Sequence, residues 1–137
     1  MIVKKIFISI LFSILAVAAP SFARQSGEKR VSLDIKQERQ VPAFGIKIKF
    51  LNVLEDSRCP EGRQCIWAGN AKIRIAVWTG RQKPVVMDVN STLQPQVANY
   101  GRYEIRLATL DPRPSADNGR PSVNHYVATL TVRRLVK

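Results

Sequence analysis

Two cysteines, one histidine and a cluster of carboxylates and arginines between positions 55 and 63 are the side chains whose type and spacing bear on chemistry. Cys59 and Cys65 are the only thiols. A closed structural zinc site takes four ligands, and the one histidine, His125, lies 60 residues beyond Cys65. The pair therefore reads as a disulfide, and no metal or other cofactor is expected. That bond also removes both thiols from nucleophilic use. His125 falls on the polar side of a strand pattern, where a solvated imidazole is the simpler reading. No serine stands in a nucleophile-elbow motif. Glu55, Asp56 and Glu61 could bring carboxylates together, yet their spacing matches no calcium loop. The sequence nominates no catalytic residue and points away from an enzyme.

The first residues bear on compartment. Lys4 and Lys5 precede an apolar run from Ile6 to Ala19, Pro20 breaks it, and Ser21-Phe22-Ala23 presents small residues where a signal peptidase reads them. This predicts a cleaved leader over 1–23, with the cut before Arg24. The run of 14 residues is short of the roughly 20 that span a bilayer. No cysteine near the cut offers a lipid attachment point. The expected product is a periplasmic or secreted domain, 24–137, long enough for one core of its own. Without Lys4 and Lys5, the 22 Lys and Arg fall to 20 against 10 Asp and Glu, a net charge near +10. Export makes nucleic acid a poor partner. Anionic envelope components and exported proteins remain as partners, with solubility as the plainer reason for the charge.

Positioning falls to strands, because apolar residues alternate with period 2 and no 3.6-residue stripe follows the leader. The runs are Val31/Leu33/Ile35, Ile46/Ile48/Phe50, Ala71/Ile73/Ile75/Val77, Val85/Met87/Val89, Tyr103/Ile105/Leu107 and Tyr126/Ala128/Leu130/Val132. Residues 50–54 break the alternation, which suits either a strand covered on both faces or a bulge. Residues 37–42 read as a polar turn, 79–84 as a hairpin, 91–101 as a connector with a short helical turn, and 111–122 as an irregular loop. The expected fold is an antiparallel β-sandwich of about six to seven strands with one disulfide-closed loop, a small β-barrel being the alternative. Charged edge strands favour a monomer.

The segment joining the second and third of these runs reads Glu-Asp-Ser-Arg-Cys-Pro-Glu-Gly-Arg-Gln-Cys-Ile-Trp-Ala-Gly-Asn over 55–70. A Cys59–Cys65 bond closes a seven-residue ring, worth roughly 2–2.5 kcal/mol on the chain-entropy model. Asp56-Ser57-Arg58-Cys59-Pro60, Cys65 and Trp67-Ala68-Gly69, with an alternating strand directly after them, resemble a segment of small exported bacterial proteins, some of them lipoproteins. The resemblance covers about 15 residues strongly and carries no activity with it. This chain lacks the lipidated cysteine of the lipoprotein members. Within the segment, Trp67 is expected to pack beside the disulfide and cap the core, with ligand stacking as the other reading. Gly69 should take a conformation other residues avoid. Asp56 and Ser57 should fix the turn. Arg58 should pair with Asp56 or Glu55, or stand in solvent, and Arg63 should be exposed.

Two binding roles are compatible with these residues. Lys47, Lys49, Lys72 and Arg74 point outward by strand parity and could form a face for anionic envelope components, provided they cluster on one sheet. Alternatively, the stiff ring could present Arg58 or Arg63 to a trypsin-like protease, or dock another protein, because preorganisation lowers the cost of binding.

Overall fold

A computed structural model of the chain describes residues 27–119, 121 and 124–136. The expected leader, 1–23, and its cleavage point lie outside the described residues. Eight strands form: β1 (Glu28–Asp34), β2 (Glu38–Gln40), β3 (Ile46–Asp56), β4 (Ala71–Thr79), β5 (Val85–Asn90), β6 (Val97–Tyr100), β7 (Tyr103–Asp111) and β8 (Val127–Arg134). They make two four-stranded antiparallel sheets, β1-β8-β7-β6 and β2-β3-β4-β5. The fold is a sandwich. Its strands nonetheless run in the order of an up-and-down barrel, opened at two seams, β1/β2 and β5/β6.

The period-2 pattern places the core. Leu33, Ile46, Ile48, Phe50, Ile73, Ile75, Val77, Val89, Ile105, Leu130 and Val132 are fully buried between the sheets. Each large apolar side chain so removed from water contributes about 1.5–3 kcal/mol. The irregular stretch after Phe50 is two bulges in β3, one between Phe50 and Asn52 and one between Val53 and Glu55. Each inserts an unpaired residue, Leu51 and then Leu54, and each flips the parity of the strand residues beyond it. Val53 and Asp56 therefore turn inward, which an unbroken strand would not allow for both together with Phe50.

Two expectations needed correction. Residues 91–101 hold no helical turn: Val97–Tyr100 is strand β6. The polar turn at 37–42 contains edge strand β2, whose three residues are all exposed. Among the described residues there is no helix, and so none long and apolar enough to cross a membrane.

The connections gather at the two ends of the sandwich. Segments 57–70 and 112–119 share one, the motif end, where the Glu61 N–H donates to the Pro114 carbonyl at 2.9 Å. The turns 41–45, 80–84 and 101–102 share the other, the turn end. There the Tyr103 hydroxyl donates to the Phe44 carbonyl at 3.0 Å and the Tyr100 hydroxyl donates to Gln82 Oε1 at 3.0 Å.

Candidate functional site

The inward turn of Asp56 creates the most constrained feature of the molecule. Its carboxylate is almost wholly buried. Arg58 answers it in a fork, Nε to Oδ1 at 2.7 Å and Nη2 to Oδ2 at 2.8 Å, and the Tyr126 hydroxyl donates to Oδ2 at 2.8 Å. Such two-point pairing is the strongest geometry an arginine offers a carboxylate. Of the same guanidinium, Nη1 donates to the carbonyl of Leu110 and Nη2 also to that of Pro112, at 3.0 Å. One side chain thus ties the segment after β3 to the end of β7. Burial pushes the Asp56 carboxyl up, but the Arg58 guanidinium and the Tyr126 hydroxyl together outweigh it and hold the group below the usual carboxylate range.

Asn70 forms a second knot. Its Nδ2 donates to Asn90 Oδ1 at 2.9 Å, its Oδ1 accepts from the Thr92 N–H at 3.2 Å, and its backbone N–H donates to Ser57 Oγ at 3.0 Å. Between the knots, Gly69 crosses directly over Ser57. A Cβ there would meet the Ser57 carbonyl oxygen at 2.2 Å and the Arg58 Cα at 2.7 Å, and the residue has φ +67°. Only glycine fits on both counts. The Cys59–Cys65 disulfide closes the ring. Among the described residues no buried side-chain nitrogen or oxygen lacks a partner. The frame is therefore fully satisfied within itself.

The residues singled out by sequence separate into three groups. Arg58 is spent internally, its side chain only 12% exposed, and is not available to an outside partner. Arg63 is exposed, but its N–H closes a turn onto the Pro60 carbonyl at 3.2 Å, so the ring is tightly turned around it. Trp67 does not cap the core. It stands 64% exposed beside Ile66, which is 95% exposed. The reason is local: Asp56, Arg58, Tyr126 and Asn70 already close that end of the core with a polar plug, leaving no apolar slot for an indole. A cleft of about 320 Å³ adjoins the segment, between Cys59 and Ala68 on one side and Leu107, Ala108 and Thr109 of β7 on the other.

Lys47, Lys49, Lys72 and Arg74 do share the outer face of one sheet, but carboxylates are interleaved with them. Glu38 stands opposite Lys49 and lies 3.5 Å from Lys47. Glu55 is opposite Lys72. Asp88 takes Arg74 at 2.7 Å and Lys72 at 3.8 Å, and the Arg74 hydrogen bond holds its carboxyl below the usual range. The face is a lattice of opposite charges, not a positive patch. The other sheet is balanced likewise, with Glu104 between Arg106 and Arg133. His125 is exposed. Among the described residues no three His, Cys, Asp or Glu groups approach as metal ligands would.

Sequence reasoning missed two features here. Tyr126 was legible only as an apolar strand residue, because the partner of its hydroxyl, Asp56, lies 70 residues away in the sequence. Ile66 was passed over within the motif, although an isoleucine before an exposed tryptophan would have been a signal had Trp67 been placed outward. No family model matches the chain, and no curated protein or solved structure matches it either.

Proposed function

We propose that this protein is an exported, non-catalytic binding module of the bacterial envelope, and that it holds a protein partner through the tip of its disulfide-closed segment. The observation that carries this reading is the pairing of Ile66 and Trp67 in water with a segment fixed beneath them by Asp56, Arg58, Tyr126, Gly69 and the disulfide. Large exposed apolar side chains on a stiff support are what a binding hot spot requires. Tryptophan is the most enriched residue type at such spots, and a preorganised loop loses little freedom on association. The predicted leader and the disulfide support export. The narrower reading, inhibition of a trypsin-like protease, would now rest on Arg63 alone. The tight turn at Pro60–Arg63 does not favour it, because an extended segment is what pairs with a sheet edge.

The test is a photo-crosslinking amino acid at position 66, with position 129 on the far sheet face as control, in cells that export the protein. One discrete protein adduct is expected from position 66 and none from position 129. Adding Trp67→Ala should weaken that contact at least ~30-fold, the equivalent of a 2 kcal/mol hot spot, while moving unfolding stability by no more than about 0.5 kcal/mol. An absence of adducts from position 66, or the same adducts from both positions, would refute the proposal.

A further inference from the structure

The two sheet faces interleave their charges, and at the motif end Arg58, Arg63 and Arg113 are matched in number by Asp56, Glu61 and Asp117, Arg58 and Asp56 being in direct contact. The excess positive charge of the described residues must therefore lie elsewhere. Most of it lies at the turn end: Arg81 and Lys83 in the β4–β5 turn, Arg102 in the β6–β7 turn, Arg134 at the close of β8, and Lys29 near the start of β1. The Tyr100–Gln82 hydrogen bond ties the first two turns together. The register pairs Tyr103 with Arg134, and the Leu135 N–H donates to the Arg102 carbonyl at 2.8 Å. All five cations are exposed. Among the described residues none of them has a carboxylate within ion-pair distance. The acidic side chains nearest this end in the β1-β8-β7-β6 sheet, Glu28 and Glu104, both stand opposite Arg133, and Glu104 is taken by Arg106 and Arg133.

Apolar side chains stand among these charges. Leu135 is 41% and Val136 81% exposed, and with Gly101, Arg102 and Arg134 they line an open groove of about 770 Å³. Val85 and Val86 are exposed where β5 leaves its turn. A soluble polyanion would use the cations and gain nothing from the aliphatic groups. A bilayer carrying anionic lipid takes both, with phosphates at the guanidinium and ammonium groups and aliphatic tips in the headgroup boundary.

We propose that the turn end docks on anionic phospholipid headgroups, with Arg81, Lys83, Arg102 and Arg134 supplying the charge contacts and Leu135 and Val136 the shallow apolar contact. This places the molecule upright. Strand β3 has 11 residues, and at about 3.3 Å per residue it holds the Ile66–Trp67 tip roughly 30 Å or more from the membrane. The surface is independent of the tip, so either can fail without the other.

Vesicle co-sedimentation of the exported, disulfide-bonded protein tests this. Vesicles with about a third phosphatidylglycerol should bind it and pure phosphatidylcholine vesicles should not. Binding should fall steeply between 0.1 and about 0.5 M salt, as the screening length drops from about 10 Å toward 4–5 Å. The variant Arg81→Gln/Lys83→Gln/Arg102→Gln/Arg134→Gln should lose binding by hundreds of fold, at about fivefold per cation. The variant Lys47→Gln/Lys49→Gln/Lys72→Gln/Arg74→Gln makes the same change in net charge on the sheet face and should lose far less. Leu135→Ser/Val136→Ser should weaken vesicle binding while leaving heparin binding unchanged. Equal losses from the two quadruple variants would overturn the proposal, since net charge would then matter and its position would not. Vesicle binding untouched by Leu135→Ser/Val136→Ser would overturn it as well, leaving only a polyanion site. A thermal melt near that of the parent must accompany each comparison.

Discussion

Replacing Arg58 with alanine gives the sharpest test of how the motif end is held. The side chain supplies both hydrogen bonds of the Asp56 fork and the donors to the carbonyls of Leu110 and Pro112. Removing it leaves a buried carboxylate with Tyr126 as its remaining side-chain donor. Breaking a buried pair in this one-sided way costs about 3–5 kcal/mol, because the surviving charge stays desolvated. A domain of this size has a total stability of about 5–15 kcal/mol. The melting temperature should fall by roughly 12–20 °C, at about 4 °C per kcal/mol. The pH dependence makes the test specific. With its folded value depressed, Asp56 contributes stability that is fully present above the unfolded carboxyl value of about 3.9 and is lost as pH falls through the folded value. In Arg58→Ala the burial of Asp56 remains and its main counterweight is gone, so protonation relieves the variant. Urea unfolding should therefore show a gap between parent and variant that is widest near pH 7 and narrows below about pH 4. Arg63→Ala, an exposed control in the same ring, should stay within about 0.5 kcal/mol of the parent. The reasoning fails if the two alanine variants behave alike at pH 7, or if the Arg58 gap does not close in acid.

Tyr126→Phe removes a hydroxyl hydrogen bond to a buried carboxylate and should cost about 1.5–3 kcal/mol. Combined with Arg58→Ala it should be non-additive, since both act on Asp56. A urea-unfolding double-mutant cycle reads the coupling, and simple additivity would argue against one shared network. Gly69→Ala should cost well over 3 kcal/mol, because its Cβ collides with backbone atoms of Ser57 and Arg58 that cannot rotate aside. Gly62→Ala, at φ +78° with open space around it, should cost about 1–2 kcal/mol from the left-handed backbone alone. Equal melts for the two glycine variants would contradict the close crossing. Cys59→Ser/Cys65→Ser should lower stability by about 2–2.5 kcal/mol, the entropy of a seven-residue ring. It should leave near-native circular dichroism, because the Asp56–Arg58–Tyr126 contacts persist, and loss of the folded spectrum would mean that the disulfide carries the frame.

The sandwich was readable from sequence because its core strands bury one face each, and one-sided burial writes itself as alternation. Val31 and Leu33, Ile73 and Ile75, and Leu130 and Val132 are such pairs. The two strands that escaped are edges. Glu38–Gln40 has all side chains in solvent and Val97–Tyr100 is only four residues long, so neither has the buried side chains that generate a pattern. Register was the deeper obstacle. The apolar run at 50–54 announced an irregularity, yet nothing in it says that two residues are extruded; one bulge alone would have turned Asp56 outward, and only the second restores it to the face of Phe50. Because of that, the pairing of Asp56 with Arg58 was one of several open readings, and Tyr126 could not be connected to it across 70 residues. Trp67 was misplaced for the same reason: whether the end of the core needs an apolar lid depends on whether a polar plug already fills it.

Charge was misassigned through a different physical limit. Outward parity identifies which cations reach solvent, but whether a cation is free depends on the strand beside it, and cross-strand register brings Glu38 to Lys49 and Asp88 to Arg74. Turns have no cross-strand partner. A cation in a two- to five-residue turn meets only the neighbouring turns, and here those carry more cations, Arg81 and Lys83 beside Arg102. In an up-and-down sandwich every connection falls at one end or the other, so the connections alone can give the molecule direction while the balanced faces stay neutral. Sequence changes there also leave the core untouched. One end therefore concentrates positive charge in turns that need no internal support. The other end holds a long connection that does need it, and receives it from a buried ion pair whose value lies less in net stability than in admitting a single arrangement. On this view the segment is built to be one shape, and Ile66 and Trp67 are displayed because that shape leaves them nowhere else to go.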